Sequence, residues 1–382
     1  MDPSQFSPHA PGSLHFDPDG FWTFHPYPLP PMFRWTDRLV TALSAADRAL
    51  AAWSVRAAGA PAGFGGLIAR VEAAAACRPA GLDTDLADVF DYEAGYRPEE
   101  DPPEGPADAA AYAETLEAAC RRAGDGGVDL DELEAIHGGL FPREYDDDWP
   151  VGEFRRGQTW IGPPGSDPGG SVFVPPPPDV MRDALDSLDK FMRAEGKLPP
   201  LVRLALVHAQ FEIIHPFYDA NGRVGRMLNV LLPGRWGLLD GPAPPMSPYL
   251  EQRGERYREL LSRFSRENAV VDWLVFFLEG VVAGVGLAGG LLAALGTMRA
   301  DYFAQFAAER GAERLQRTIE FALVRPLFNV SQAAAALPAG NFKSTARSVD
   351  RLVELGVLEE TTGQRRHRVF CAAEWVERLG GF

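Results

Sequence analysis

Residues 215–226 read HPFYDANGRVGR, which sets a histidine, an acid and two arginines in a short stretch between two apolar runs. The preceding run, LVRLALVHAQFEIIHPF, reads as an apolar helix stopped at Pro216, because proline disfavours helical geometry in the residue before it. His215 therefore sits at a helix end. A second helix starting near Gly222 or Arg223 turns unpaired backbone N–H groups and a positive dipole end into the same loop, a setting that suits phosphate. Arg223 and Arg226 share a face of its first turn, where guanidinium forks can clamp phosphate oxygens. Asp219 would repel a polyphosphate unless a hard cation lay between them, and Mg²⁺ commonly takes one carboxylate plus phosphate oxygens. His215 is the only base in the loop with a pKa near neutrality. Taken singly, a His-Pro at a helix end or an Arg-x-x-Arg on a helix is ordinary structure. Together, in this order and between helices, they describe phosphoryl or nucleotidyl transfer.

The elements that must hold this loop are mostly helical. A chain of 382 residues exceeds one ordinary core and suggests two or three domains. Hydrophobic residues at 46% and charged residues at 24% give a soluble globular balance. A net charge of −16 argues against a chain that coats nucleic acid or anionic membrane over its whole surface. Cys77, Cys120 and Cys371 are scattered, without the spacing of a metal site or disulfide frame. No basic-then-apolar segment follows Met1, and the apolar stretch 281–296 is short for a span and rich in glycine. It reads as a buried helix, and the expected location is cytoplasmic, with no membrane partner.

The fold class expected is mainly α: a helical bundle with a β-hairpin flap, followed by a small α+β winged-helix domain. Residues 1–20, rich in Pro, Asp and Gly, are expected to be a disordered tail. Residues 21–106 form an N-terminal helical region closed by the polar, proline-rich stretch 96–106, and 107–300 form the core. Within the core, 152–180 resist helix and are expected to make a hairpin-like flap and an extended arm. Residues 301–382 order as helix, turn, helix and hairpin, the pattern of a winged helix. Lys343, Arg347 and Arg351 recur every four residues there, and GQRRHR could form a basic wing. Such a stripe suits a local DNA contact, although solvation of a helix or protein contact explains it as well.

The loop resembles the signature of Fic-family proteins, His-x-Phe-x-Asp/Glu-Gly-Asn-Gly/Lys-Arg-x-x-Arg between two helices. The resemblance implies transfer of AMP from ATP to a side-chain hydroxyl (Ser, Thr or Tyr) of a target protein or of the chain itself. It implies His215 as base, Phe217 as buried anchor and Asp219 as Mg²⁺ ligand. Nucleotide binding falls to Ala220, Asn221, Gly222, Arg223, Val224, Gly225 and Arg226. Upstream, GEFRRGQTWIGPPG resembles the family's flap, which would lay a target strand along Ile161 and Gly162 beside His215. Downstream, PYLEQRGERYRELLSRF resembles the helix walling the adenine pocket, with Tyr257 as a contact. HPYPLPP and the helices after it resemble the family's N-terminal region, and the C-terminal unit resembles its winged helix.

Two departures stand out. Ala220 occupies a place usually held by glycine; at a helix-type φ alanine costs nothing, so it is expected to be tolerated, with retuned nucleotide binding. Many members also carry an inhibitory helix, Ser/Thr-x-x-x-Glu-Gly/Asn, whose glutamate pairs with the last arginine of the loop. The best register in EAAAACRPAGLDTDLADVF puts Ala76 at the hydroxyl position, Ala80 at the glutamate and Gly81 after it. Arg226 would then lack that carboxylate. Glu72 lies two turns upstream and is not expected to substitute, and Pro79 should interrupt the helix. The alternatives are a nucleotide-sensing or DNA-binding regulator with a weak core, and transfer from another phosphate donor. The target protein is not legible, and a homodimer remains open.

Overall fold

The computed structural model describes residues 1–95, 104–122, 128–142, 150–337 and 341–381. At its centre lies α7 (Pro200–Ile214), whose sequence PLVRLALVHAQFEII is apolar on every face and buried almost throughout. A helix without a polar face must be surrounded. It is enclosed by α8 (Asn221–Arg235), by α6 (Pro178–Arg193) and by α11 (Val270–Gln305), with α10 (Gly254–Glu267) beside it. The outer helices show the expected one-sided burial. In α6 the buried residues are Met181, Leu185, Leu188 and Met192, and in α10 Tyr257, Leu260 and Phe264, in each case a stripe at helical spacing.

Before the bundle come α1 (Asp37–Ala57), which runs along α11, and α2 (Phe64–Cys77), which packs on α4 (Glu104–Arg121) and on α9 (Ser247–Gln252). Between them, α3 (Leu86–Ala94) starts with a capping box in which Asp85 and Asp88 bond each other's backbone N–H. The last of this set is α5 (Leu130–Gly139). The apolar stretch 281–296 belongs to α11, which is long and apolar enough to cross a membrane by length and composition, yet is mostly buried against these helices.

Several expectations need correction. Residues 1–20 are not a loose tail: β1 (Gly12–Phe16) pairs antiparallel with β2 (Trp22–Pro26), in the register Gly12↔Pro26 to Phe16↔Trp22. Phe24 of β2 is buried, stacks on Phe6 and donates its N–H to the Val174 carbonyl. Apolar burial and an inter-strand ladder hold a segment whose proline and glycine content pointed to a loop. The flap at 152–180 closes on one antiparallel bridge, Ile161 with Phe173, and is otherwise irregular. The boundary at 106/107 falls inside α4, and that at 300/301 inside α11. Residues 96–103 of the proline-rich stretch lie outside the described residues.

The C-terminal unit comprises α12 (Ala312–Val324), β3 (Leu327–Asn329), α13 (Val330–Ala336), α14 (Phe342–Glu354), β4 (Glu359–Glu360), β5 (Val369–Cys371) and α15 (Ala373–Leu379). Its strands form one antiparallel sheet in the order β3-β5-β4. The unit is tied to the rest through α3: Glu93 accepts from Arg70 of α2 and from Arg325 after α12. Gln332 and Asn329 also donate to the Glu93 and Ala94 carbonyls.

Candidate active site

The loop is held by left-handed backbone at both ends. α7 stops because His215 takes φ 51°, ψ 61°, and α8 starts after Ala220 at φ 58°, ψ 10°. Between them Phe217 is fully buried, stacked on the His137 ring at 3.9 Å with 4° between planes and lying 5.2 Å from Phe154. The Asn221 amide closes the loop on the Phe217 peptide, with Oδ1 accepting from its N–H and Nδ2 donating to its carbonyl, each at 2.9 Å.

Beneath the loop lies Arg155, which is fully buried. Its Nε donates to the His215 carbonyl at 2.8 Å, Nη1 to Gly157 at 3.0 Å, and Nη2 to Ile214 at 3.4 Å and to Pro176. Its own N–H donates to the Pro216 carbonyl at 2.9 Å. These acceptors are the otherwise unpaired C-terminal carbonyls of α7 together with both sides of the flap. Burial pushes the guanidinium pKa down to about 10. Burial, reinforced by the Arg155 charge, likewise pushes His215 down to about 4, so its imidazole is neutral near pH 7 and able to accept a proton.

His215, Asp219, Gly222, Arg223 and Arg226 meet around one cavity of about 280 Å³, whose opposite wall includes Ala76, Pro79, Ala80, Leu250 and Tyr257. Asp219 is exposed, and one carboxylate oxygen accepts from the Ala220 N–H at 2.6 Å. Arg223 is partly committed, pairing with Asp108 of α4 at 2.8 Å with its guanidinium 5.3 Å from the Phe141 ring. Arg226 is buried with its guanidinium 5.7 Å from the Tyr257 ring, and among the described residues it forms no ion pair within 4.0 Å. Ala76 and Ala80 thus do face the loop, at the end of α2, which stops at Cys77 and continues as a 3₁₀ turn through Pro79. Gly81, at φ 82°, does not line the cavity. Glu72 accepts from the Met246 and Ser247 N–H groups and the Ser247 hydroxyl, and it lies near enough to Arg226 for that charge to act on its carboxyl.

Other expectations are altered by packing. Ala220 does not have a helix-type φ, so alanine there carries the strain that glycine would avoid. Asn221 spends its side chain on Phe217, and Val224 and Gly225 do not line the cavity. They face the core, since successive helical residues turn about 100° apart. Ile161 sits in the flap with its N–H on the Phe173 carbonyl at 2.8 Å and its carbonyl accepting from Val172 and Phe173. Ile161 and Trp160 are each 41% exposed, and Gly162 leaves no room for a Cβ, which would fall 2.5 Å from Ser166 Oγ. Far from the cavity, Lys343 and Arg347 are exposed on α14, but Arg351 is neutralised by Glu309 and Glu354 at 2.9 and 2.7 Å, which breaks the basic stripe.

Arg155, His137, Asp108, His208 and Glu212 were assigned no role from the sequence. His208 and Glu212 had a signal, lying seven and three residues before His215 on one helix and so on its face. Asp108 had none, because nothing local joins residues 108 and 223.

The class defined here is a helical bundle organised around one helix-loop-helix that presents a histidine, an acid and two arginines to a small cavity. Residues 127–232 match the family model described as "Fic/DOC family". Over 64 residues it is 41% identical to a probable protein adenylyltransferase of Aquifex aeolicus (strain VF5), covering 16% of this chain and 20% of that protein. Over 130 residues it is 32% identical to a protein adenylyltransferase Fic of Drosophila yakuba, covering 34% of this chain and 23% of that protein. The matched region therefore spans about a fifth of those relatives. In fold, the chain is similar to a Fic family protein from Desulfovibrio desulfuricans G20, with TM-score 0.57 and 18% identity over 90% of this chain and 98% of that one.

Relief of the left-handed strain outweighs the entropy that glycine adds to the unfolded chain. Ala220→Gly is therefore expected to stabilise the protein by about 0.5–1 kcal/mol, read as a raised melting temperature. His137 and His208, which are buried, and the partly buried His215 supply a pH test. Burial pushes His137 and His215 to about 4 and His208 to about 3. Unfolding returns all three to the ordinary range, so between about pH 6.5 and 4 the unfolded chain binds more protons and stability falls with pH. Urea denaturation should show several kcal/mol less stability at pH 5 than at pH 7. Equal stability at the two values would place these imidazoles in water.

Proposed function

We propose that the chain is a protein adenylyltransferase that moves AMP from ATP to a hydroxyl of a target protein or of itself. The observation that carries this reading is the convergence of a neutral His215, an exposed Asp219 and two buried guanidiniums on one cavity at the start of a helix. His215 takes the proton of the attacking hydroxyl, whose oxygen bonds to the α-phosphorus as the bond to the β-phosphate oxygen breaks and pyrophosphate leaves. Arg223 and Arg226 with the N–H groups opening α8 bind phosphate oxygens, and Tyr257 walls the pocket. The single exposed carboxylate of Asp219 suits Mg²⁺, which keeps most of its ligands as water and phosphate oxygens. Such an ion neutralises phosphate charge when bound. The half-exposed Trp160 and Ile161 suit strand addition by a target segment.

The absence of a carboxylate at Ala76 or Ala80 supports a pocket without the inhibitory glutamate. We read the C-terminal unit as a winged helix. The exposed Lys343 and Arg347, with Arg365 and Arg366 near β4, support a local duplex contact that excludes Arg351.

Incubation with Mg²⁺ and ATP labelled at the α or the γ phosphate, beside a His215→Ala control, tests the reaction. Label is expected from the α position alone and is lost in the control; label from γ alone would mean a kinase, and from neither a binding protein. Ala80→Glu should lower self-labelling at least tenfold by engaging Arg226, an effect worth about 1.4 kcal/mol. Undiminished labelling would remove residue 80 from the control of this site.

A further inference from the structure

Glu212 stands one helical turn before His215 on α7, and its side chain reaches under the start of α8. A Cβ placed on Gly225 would lie 2.7 Å from Glu212 Oε1. One placed on Gly222 would lie 3.9 Å from that oxygen and 2.8 Å from Arg226 Nη1. The carboxylate and the guanidinium thus flank the same point, which only glycines leave open. Glu212 Oε1 is buried with no hydrogen-bond donor, and Arg226 Nε is buried with no acceptor.

The chemistry of His208 explains the first of these. Its Nδ1 must donate to the Gly225 carbonyl at 3.0 Å, which leaves Nε2 to accept from the Tyr257 hydroxyl at 2.8 Å. His208 thus has no donor left for Glu212 Oε1, which stands 4.0 Å from that Nε2. Burial pushes the Glu212 carboxyl up, and the Arg226 charge and then the Tyr257 hydroxyl pull it back. A carboxylate oxygen without a donor and a guanidinium with an unused N–H are each costly to bury, and the two charges offset each other across the glycine gap.

We propose that Glu212 is a positioning residue for the phosphate clamp: its carboxylate supplies the counter-charge that keeps the Arg226 guanidinium in the cavity wall, from beneath the loop, in a chain with alanine at residue 80. The proposal rests on the nucleotide reading above. A polyphosphate entering the cavity then competes with Glu212 for Arg226, so the residue that places the clamp also tempers its affinity. A residue that only filled space would not have this effect, since removing it could weaken binding but not tighten it.

The test is the Kd of the full chain for ATP and, separately, for inorganic pyrophosphate, each with Mg²⁺, measured by calorimetry. Glu212→Gln keeps the shape and removes the charge, and it should bind either probe roughly tenfold more tightly than the parent. Glu212→Asp keeps the charge and should stay within about threefold of the parent. Glu212→Met, charge-free by another route, carries the test if the amide unfolds. Charge-free variants that fold yet bind no more tightly would overturn the proposal. Unfolding of both would also overturn it, by making the carboxylate a requirement of the core. Tightening toward pyrophosphate without ATP binding would keep Glu212 in this role and sink the nucleotide reading, and binding of neither probe overturns both.

Discussion

The geometry of this molecule depends on one buried guanidinium. Arg155 has no room for water, and each of its hydrogen bonds ends on a carbonyl: His215 and Ile214 at the end of α7, Gly157 and Pro176 in the flap. An uncompensated charge in that place would be prohibitive, but the carbonyl end of a helix carries partial negative charge and several unpaired acceptors. One side chain therefore caps α7, joins the two sides of the flap and sets the electrostatics of His215.

On the other side of His215 the constraint is steric. Two residues in left-handed conformation bend the chain sharply enough to turn α7 into α8, and neither is glycine. The cost is met by Phe217, whose ring is clamped between His137 and Phe154, and by the Asn221 amide, which holds both polar groups of the Phe217 peptide. Arg223 and Arg226 then stand on the first turn of α8 with contrasting surroundings. The first is tied to Asp108, and the second lies over Tyr257 with carboxylates nearby but none paired to it. The wall facing them comes from α2, whose Arg70 shares Glu93 with Arg325 at the edge of the C-terminal unit. Glu93 of α3 thus bridges α2 and the C-terminal unit.

Much of the fold was legible because it follows from local pattern. The apolar run of α7, the stripes of α6 and α10, and the stop at Pro216 all come from residue spacing. The loop residues were legible for the same reason, since histidine, acid and arginines fall close together in the chain. Misreadings came where a contact distant in sequence overrode composition. Residues 1–20 look like loop until the β1–β2 ladder and the buried Phe24 of its second strand order them, and the flap narrows to a single antiparallel bridge. Ala220 was misjudged because its φ is set by the stacking of Phe217 and the start of α8, and no local pattern reports it.

By itself the sequence determined the helical character of the chain and the kinds of side chain brought to one loop, because helical periodicity and residue chemistry act over a few positions. Tertiary structure alone decided which of those side chains remain free to act. Asn221 is spent on Phe217, Arg223 shares itself with Asp108, Arg351 is neutralised by Glu309, and Ala80 is turned to face Arg226. The Arg223–Asp108 pair and the approach of Ala80 to Arg226 each join residues more than a hundred positions apart, and no short-range pattern encodes that distance.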